Sequence, residues 1–128
     1  PNLLNFTIGY GFNQPIELVQ SIIHLKNDSN HNDDLIDKLP TCLKILELGN
    51  HFDGKLTNLP STIQILKFDH ESKFNHTLNM LPSTLEILEL PYCYNKKIQN
   101  IPKGLKLIVH KNYKFIDNCV DCIIETYD

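Results

Sequence analysis

The chain is 128 residues long, 41% hydrophobic and 21% charged, with a formal net charge of -3. That length is one domain's worth, and the apolar share excludes wholesale disorder. The slightly acidic balance argues against nucleic acid, whose binders need a basic field to displace counterions. No run of about 18 apolar residues exists to span a membrane, and no charged-then-apolar signal segment opens the chain. Arg, Ala and Trp are absent while Asn, Ile, Lys and Leu abound. The chain therefore has no guanidinium fork for carboxylate or phosphate.

Residues 1–16 read as the second half of a repeat: a strand at Phe6–Ile8, then Gly9, then Phe12-Asn13-Gln14-Pro15-Ile16. Starting in mid-repeat is expected to leave an end that upstream material or a partner covers, because solenoids need polar caps. Residues 17–38 are a degenerate repeat. Ile22-x-x-Leu25 keeps the register, Asn27 stands where a core Leu or Phe belongs, and no Pro precedes the strand. The competing reading is a helix, with Ile16, Val19, Ile22 and Ile23 on one face. Asn27–Asp34 is polar and reads as a solvated loop. It lacks the Gly and closing Glu of a calcium loop.

Residues 39–58, 59–80 and 81–100 are clear repeats, carrying LPTCLKILEL, LPSTIQILKF and LPSTLEILEL. The Leu-Pro or Ile-Pro pair recurs after 20, 22 and 20 residues, at 39, 59, 81 and 101. A period near 20 carrying L-x-x-L-x-L marks a leucine-rich-repeat-like solenoid, in which each unit buries its apolar side only against its neighbours. The prolines fix φ ahead of each strand. Strand alternation then assigns the inward columns: Leu46, Leu66, Leu88 and Ile108 in one; Leu48, Phe68, Leu90 and His110 in the next. Leu43, Ile63, Leu85 and Leu105 make a third. Phe12, Phe52, Phe74 and Tyr94 form an aromatic column, each followed four residues on by Ile16, Leu56, Leu78 or Ile98. Two extra residues within Asp69–Lys73 should bulge after the strand. Residues 101–118 are a short repeat, and residues 119–128 a C-terminal cap with a last strand around Ile123–Tyr127. The fold class expected is a β-rich, right-handed repeat solenoid with a short parallel sheet on one face and little helix.

Phe12-Asn13-Gln14-Pro15-Ile16 and Phe74-Asn75, in register with L-P-x-x-L-x-x-L-x-L, resemble the FNIP repeat family. Those are leucine-rich-repeat-like arrays of social amoebae and giant amoebal viruses, and the absence of Ala and Arg beside abundant Asn, Ile and Lys, which A+T-rich codons produce, agrees with such a source. The resemblance covers nearly all of the chain, strongly over 39–102. It implies protein binding, with an F-box upstream in many members, and hence the substrate-recognition arm of a ubiquitin ligase. No F-box-like stretch lies in these residues.

Little in the sequence carries catalysis. No Ser/His/Asp set, paired carboxylates or glycine-rich phosphate loop has motif context, so the chain reads as no enzyme, with no cofactor and no metal. Cys119-x-x-Cys122 is the sharpest exception. It reads as packing, with Cys119 in the column of Leu39, Leu59, Leu81 and Ile101; half a zinc site or a redox pair are the alternatives. Four reduced thiols and three bare glycosylation sequons, at Asn5, Asn27 and Asn75, suit a cytoplasmic protein, in host cytoplasm or a virion if viral.

What remains is the outward strand face. It carries Ile45, Ile65, Ile87 and Leu107 in one row and Glu47, Lys67, Glu89 and Val109 in the next. A third row runs Gly49, Asp69, Pro91 and Lys111. An exposed aliphatic row is either strand propensity and cross-strand packing or a protein-binding stripe. The functional expectation is a non-enzymatic module that docks a protein partner there, with no nucleic acid and no membrane. The alternative is a scaffold or virion protein that self-associates through its open solenoid ends.

Overall fold

The computed structural model describes residues 4–12, 17–29 and 33–128. It is a parallel β-solenoid. Seven short strands, β1 (Asn5–Ile8), β2 (His24–Asn27), β3 (Ile45–Leu48), β4 (Ile65–Phe68), β5 (Ile87–Glu89), β6 (Lys106–His110) and β7 (Ile123–Tyr127), form one sheet. Every neighbouring pair is parallel and the spatial order is the chain order. Two 3-10 segments, Asp33–Lys38 and Ile116–Asn118, are the only helical elements among the described residues.

Each circuit of the chain turns two corners. The first is a β-turn in which Pro40, Pro60, Pro82 and Pro102 offer their carbonyls to the amides of Leu43, Ile63, Leu85 and Leu105. Proline removes a donor that this corner does not use and presets φ. The degenerate repeat makes the same corner with Val19 in place of proline, Ile22 N–H donating to Val19 O, and then forms β2. The helical reading of that segment is thereby set aside for its described residues. The third position of this corner ties one coil to the previous one. Thr62 Oγ1 lies 2.7 Å from Leu43 O and 3.0 Å from Thr41 O, and Thr84 Oγ1 lies 2.8 Å from both Ser61 O and Ile63 O. Cys42 Sγ reaches Gln20 O and Ile22 O in the same way. A short side chain with one proton therefore lies between two carbonyls of the previous coil and donates to either one at this part-exposed corner.

The core is one continuous stack. Leu25, Leu46, Leu66, Leu88 and Leu107 are fully buried along the first inward row, and Ile8, Asn27, Leu48, Phe68, Leu90 and Val109 along the second. Phe52, Phe74, Tyr94 and Tyr113 line the opposite wall, with successive ring centroids 6.4, 6.1 and 6.2 Å apart. Leu56, Leu78 and Ile98 close the wall as their spacing implies. Full burial of each such side chain is worth about 1.5–3 kcal/mol, so the stack rather than any single coil holds the fold. Phe12 makes the same turn after its strand, its amide donating to Gly9 O as that of Phe52 does to Gly49 O, but in the first coil it is 38% exposed rather than buried with the column. The column's fourth aromatic is Tyr113. Ile16 and the loop residues 30–32 lie outside the described residues, as do Asn13, Gln14 and Pro15.

Three sequence assignments are corrected in the C-terminal half. Ile87 pairs with Lys106 and Leu88 with Leu107, so Leu107 and Val109 point inward and are buried, while Ile108 and His110 face out. The cause is Gly104. Its φ of 80° fits the third position of a type II turn, where Thr62 and Thr84 occupy the corresponding site of the other corners. The strand then starts one residue sooner, and L-x-x-L-x-L becomes Leu105-x-Leu107-x-Val109. A one-residue shift exchanges the two faces of a strand. The last coil repeats the device: Asp121 has φ 57°, and Ile123 pairs with Lys106, placing Cys122 rather than Ile123 beside Leu105. The third correction concerns the two extra residues near Asp69. They bulge only in part, since Glu71 and Lys73 are exposed while Ser72 turns inward. Ser72 N–H closes a turn on Asp69 O, Ser72 is fully buried, and its Oγ accepts the Phe74 amide at 3.1 Å.

Candidate protein-interaction face

The outward side of the sheet is set by the register. One row runs His24, Ile45, Ile65, Ile87, Lys106 and Ile123 across β2–β7; the next runs Lys26, Glu47, Lys67, Glu89, Ile108 and Glu125. Ile45, Ile65 and Ile87 are half-buried, flanked by neighbours on adjacent strands. Six of the residues expected on this face are there: Ile45, Glu47, Ile65, Lys67, Ile87 and Glu89. Leu107 and Val109 are not, for the reason given above.

Two carboxylates of the row, Glu47 and Glu89, are engaged by imidazoles, while Glu125 pairs with Lys106 at 2.9 Å. Glu47 bonds His24 Nε2, and Glu89 Oε2 lies 2.7 Å from His70 Nε2. Lys26 and Lys67 have no ion pair among the described residues, although each has a Glu as its register partner. Lys26, Glu47, Lys67, Asp69 and Glu89 rim a shallow depression of about 460 Å³ whose floor includes Gly49. Gly49 is required there: a Cβ would stand 2.2 Å from the Asp28 carboxylate, which accepts the His51 amide at 3.0 Å.

The far end of the face is closed by Tyr127. Its ring stacks on His70 at 3.7 Å and 6°, meets His110 edge-on, and its hydroxyl donates to Leu90 O at 2.6 Å. Burial, with Glu89 and Glu71 nearby, pushes the Tyr127 phenol up to about 12. His24, Lys26, His70 and Tyr127 were not legible as face residues from motif reading. Lys26 had a signal, since it follows Leu25 as Glu47 follows Leu46. His70 and Tyr127 had none, because their contact joins residues 57 positions apart.

Cys119 and Cys122 pack against the core from the last coil. Cys119 Sγ donates to Phe115 O at 3.4 Å and Cys122 Sγ to Cys119 O at 3.1 Å. Burial first, then the neighbouring Cys122, pushes the Cys119 thiol up to about 11, which leaves it a poor nucleophile at neutral pH. Among the described residues no group of three or more His, Cys, Asp or Glu is placed to hold a metal ion. No helix among them is long and apolar enough to cross a membrane. The sequon at Asn27 sits on a fully buried side chain whose Oδ1 accepts the Ser29 amide.

No family model matches this chain, and neither a curated protein nor a solved structure matches it.

Proposed function

We propose that this solenoid is a non-enzymatic interaction module that docks a protein through the outward face of its sheet. The observation that carries the reading is the row Ile45, Ile65, Ile87 beside a charged row in which Lys26 and Lys67 have no ion-pair partner among the described residues. Apolar side chains in line next to unspent charge are what a rimmed interface needs, and a rigid stack of parallel strands holds them at fixed spacing. The resemblance to FNIP arrays supports a cytoplasmic setting and a substrate-recognition role in an F-box ubiquitin ligase. The test is Ile65→Asp combined with Ile87→Asp, in protein shown folded by circular dichroism. A bound protein recovered with the wild type should be lost with the variant; undiminished binding rejects the face. A second reading, a scaffold assembled through the solenoid ends, is favoured by the outer edges of β1 and β7, which pair with no strand among the described residues.

A further inference from the structure

The charged row has a property that a list of its residues hides. On β2, β3, β4 and β5 in turn, the register sets Lys26, Glu47, Lys67 and Glu89 side by side. Over these four strands the signs alternate, so reversing the order exchanges every sign; Glu125, in the same row on β7, is paired with Lys106 and lies outside the strands that the axis below superposes. Now take a twofold axis parallel to the strands, lying over the face midway between β3 and β4. It turns one sheet over onto another and reverses the strand order. Lys26 then faces Glu89 of a second copy, Glu47 faces Lys67, and the two reciprocal pairs follow by symmetry. All four juxtapositions are of opposite charge and none is of like charge. The same operation sets Ile45 against Ile65 and Ile65 against Ile45, an apolar strip alongside the charges. We infer that the outward sheet face pairs with a second copy of this chain, face to face about that axis. This rests on the face being the interaction surface and names its partner.

The intrachain bonding argues for the same use. A ladder that served only its own sheet would close Lys–Glu contacts between adjacent strands. On β2–β5 no such contact is within ion-pair reach among the described residues, although Lys106 and Glu125 make one at 2.9 Å between β6 and β7; histidines hold one oxygen each of Glu47 and Glu89, and Lys26 and Lys67 stay open. An isologous interface requires a patch complementary to itself under a twofold, and a sign pattern that inverts on reversal meets that condition. The face is small. Seven strands about 4.8 Å apart, each contributing strand residues about 3.3 Å apart, make a plane roughly 29 by 13 Å. That is below the ~800 Å² per partner of a standard interface, so the dissociation constant should lie between about 10 µM and about 1 mM.

Sedimentation equilibrium over that concentration range, at low and at high salt, tests the inference. The wild type should dimerise and weaken at high salt, since the pairs are exposed and screened. Lys26→Glu with Lys67→Glu makes the row wholly acidic, and Glu47→Lys with Glu89→Lys makes it wholly basic. Each variant alone should associate about ten-fold or more weakly than wild type, and a one-to-one mixture should recover a heterodimer at least as tight as the wild-type dimer. Melting curves check that both variants fold; the acidic one breaks no intrachain contact. A wild type that stays monomeric at about 1 mM and low salt overturns the inference. So does an acidic-row variant that dimerises as well as wild type. If the wild type is monomeric while Ile65→Asp with Ile87→Asp loses a foreign protein, self-pairing falls and the face reading stands. A dimer indifferent to both the charge and the isoleucine changes sinks both.

Discussion

The coils from Leu39 to Asn100 and those from Ile101 to Asp128 are made of the same parts, yet they place their side chains by different rules. In the first region a Pro-x-Thr or Pro-x-Cys corner, followed by Leu or Ile, ties its third residue to the carbonyls of the coil before. Two residues intervene between the corner leucine and the first buried strand residue. In the second region, the corner passes through positive φ at Gly104 and at Asp121, and one residue is lost. The advance from strand to strand drops from 20 and 22 residues, Ile45 to Ile65 and Ile65 to Ile87, to 19 and 17, Ile87 to Lys106 and Lys106 to Ile123. The aromatic wall does not follow this divide: it passes from Phe52 and Phe74 to Tyr94 within the first region and continues as Tyr113 in the second. A repeat is thus held by its corners as much as by its leucines. Where a corner changes hands, the leucine pattern by itself points to the wrong face.

The largest way to break the comparison is at its centre. Phe74 contacts the rings of Phe52, Phe68 and Tyr94 and is fully buried. Phe74→Ala should cost about 3–5 kcal/mol in urea unfolding, from lost transfer energy and the cavity left behind. Tyr113→Ala, at the end of the column, should cost less; a loss equal to that of Phe74→Ala would mean that the last coils carry as much of the stability as the middle ones.

A smaller effect isolates the corner. Gly104→Thr recreates the side chain of Thr62 and Thr84 at a backbone φ of 80°. A β-branched residue is strained there, and the change should lower stability by about 1–3 kcal/mol. Inserting one residue between Leu105 and Lys106 in the same variant should recover part of the loss, since it restores the spacing of the middle coils. If Gly104→Thr alone is neutral, the turn type does not set the register.

The smallest effect is one of pH, and it belongs to the C-terminal region. The Tyr127 phenol is raised from its ordinary 10.0 to about 12, and burial holds Tyr94 and Tyr113 well above their ordinary value. The folded state keeps these protons while the unfolded chain gives them up, so their contribution is intact below about pH 10 and is lost as pH rises toward 12. Melting temperature should therefore fall across that window, and less steeply in Tyr127→Phe. An unchanged slope would place the alkaline loss elsewhere.

Much of this architecture was legible without coordinates. The recurring proline pair and the leucine spacing gave the number of middle coils, their inward columns, and the final strand at Ile123–Tyr127. The outward position of Ile45, Glu47, Ile65, Lys67, Ile87 and Glu89 followed from alternation. The failures have two causes. Aligning Ile101-Pro102-Lys103-Gly104-Leu105 by its proline puts Leu107 and Val109 outward, because a glycine turn of different geometry looks the same on paper as a threonine turn. Ser72 turns inward within the expected bulge, because insertion length carries no direction.

By itself, the sequence determined the period, the parallel stacking and the identity of the core leucines, because burial must recur wherever identical units stack and alternation admits two faces only. Only the tertiary structure decided which face the last coils present, through backbone dihedrals at Gly104 and Asp121 that no hydrophobic pattern encodes. It alone also joined His70 to Tyr127 and His24 to Glu47, and left Lys26 and Lys67 without ion pairs among the described residues. Those contacts depend on register summed over several coils, and a one-residue difference in any of them would have put other side chains together.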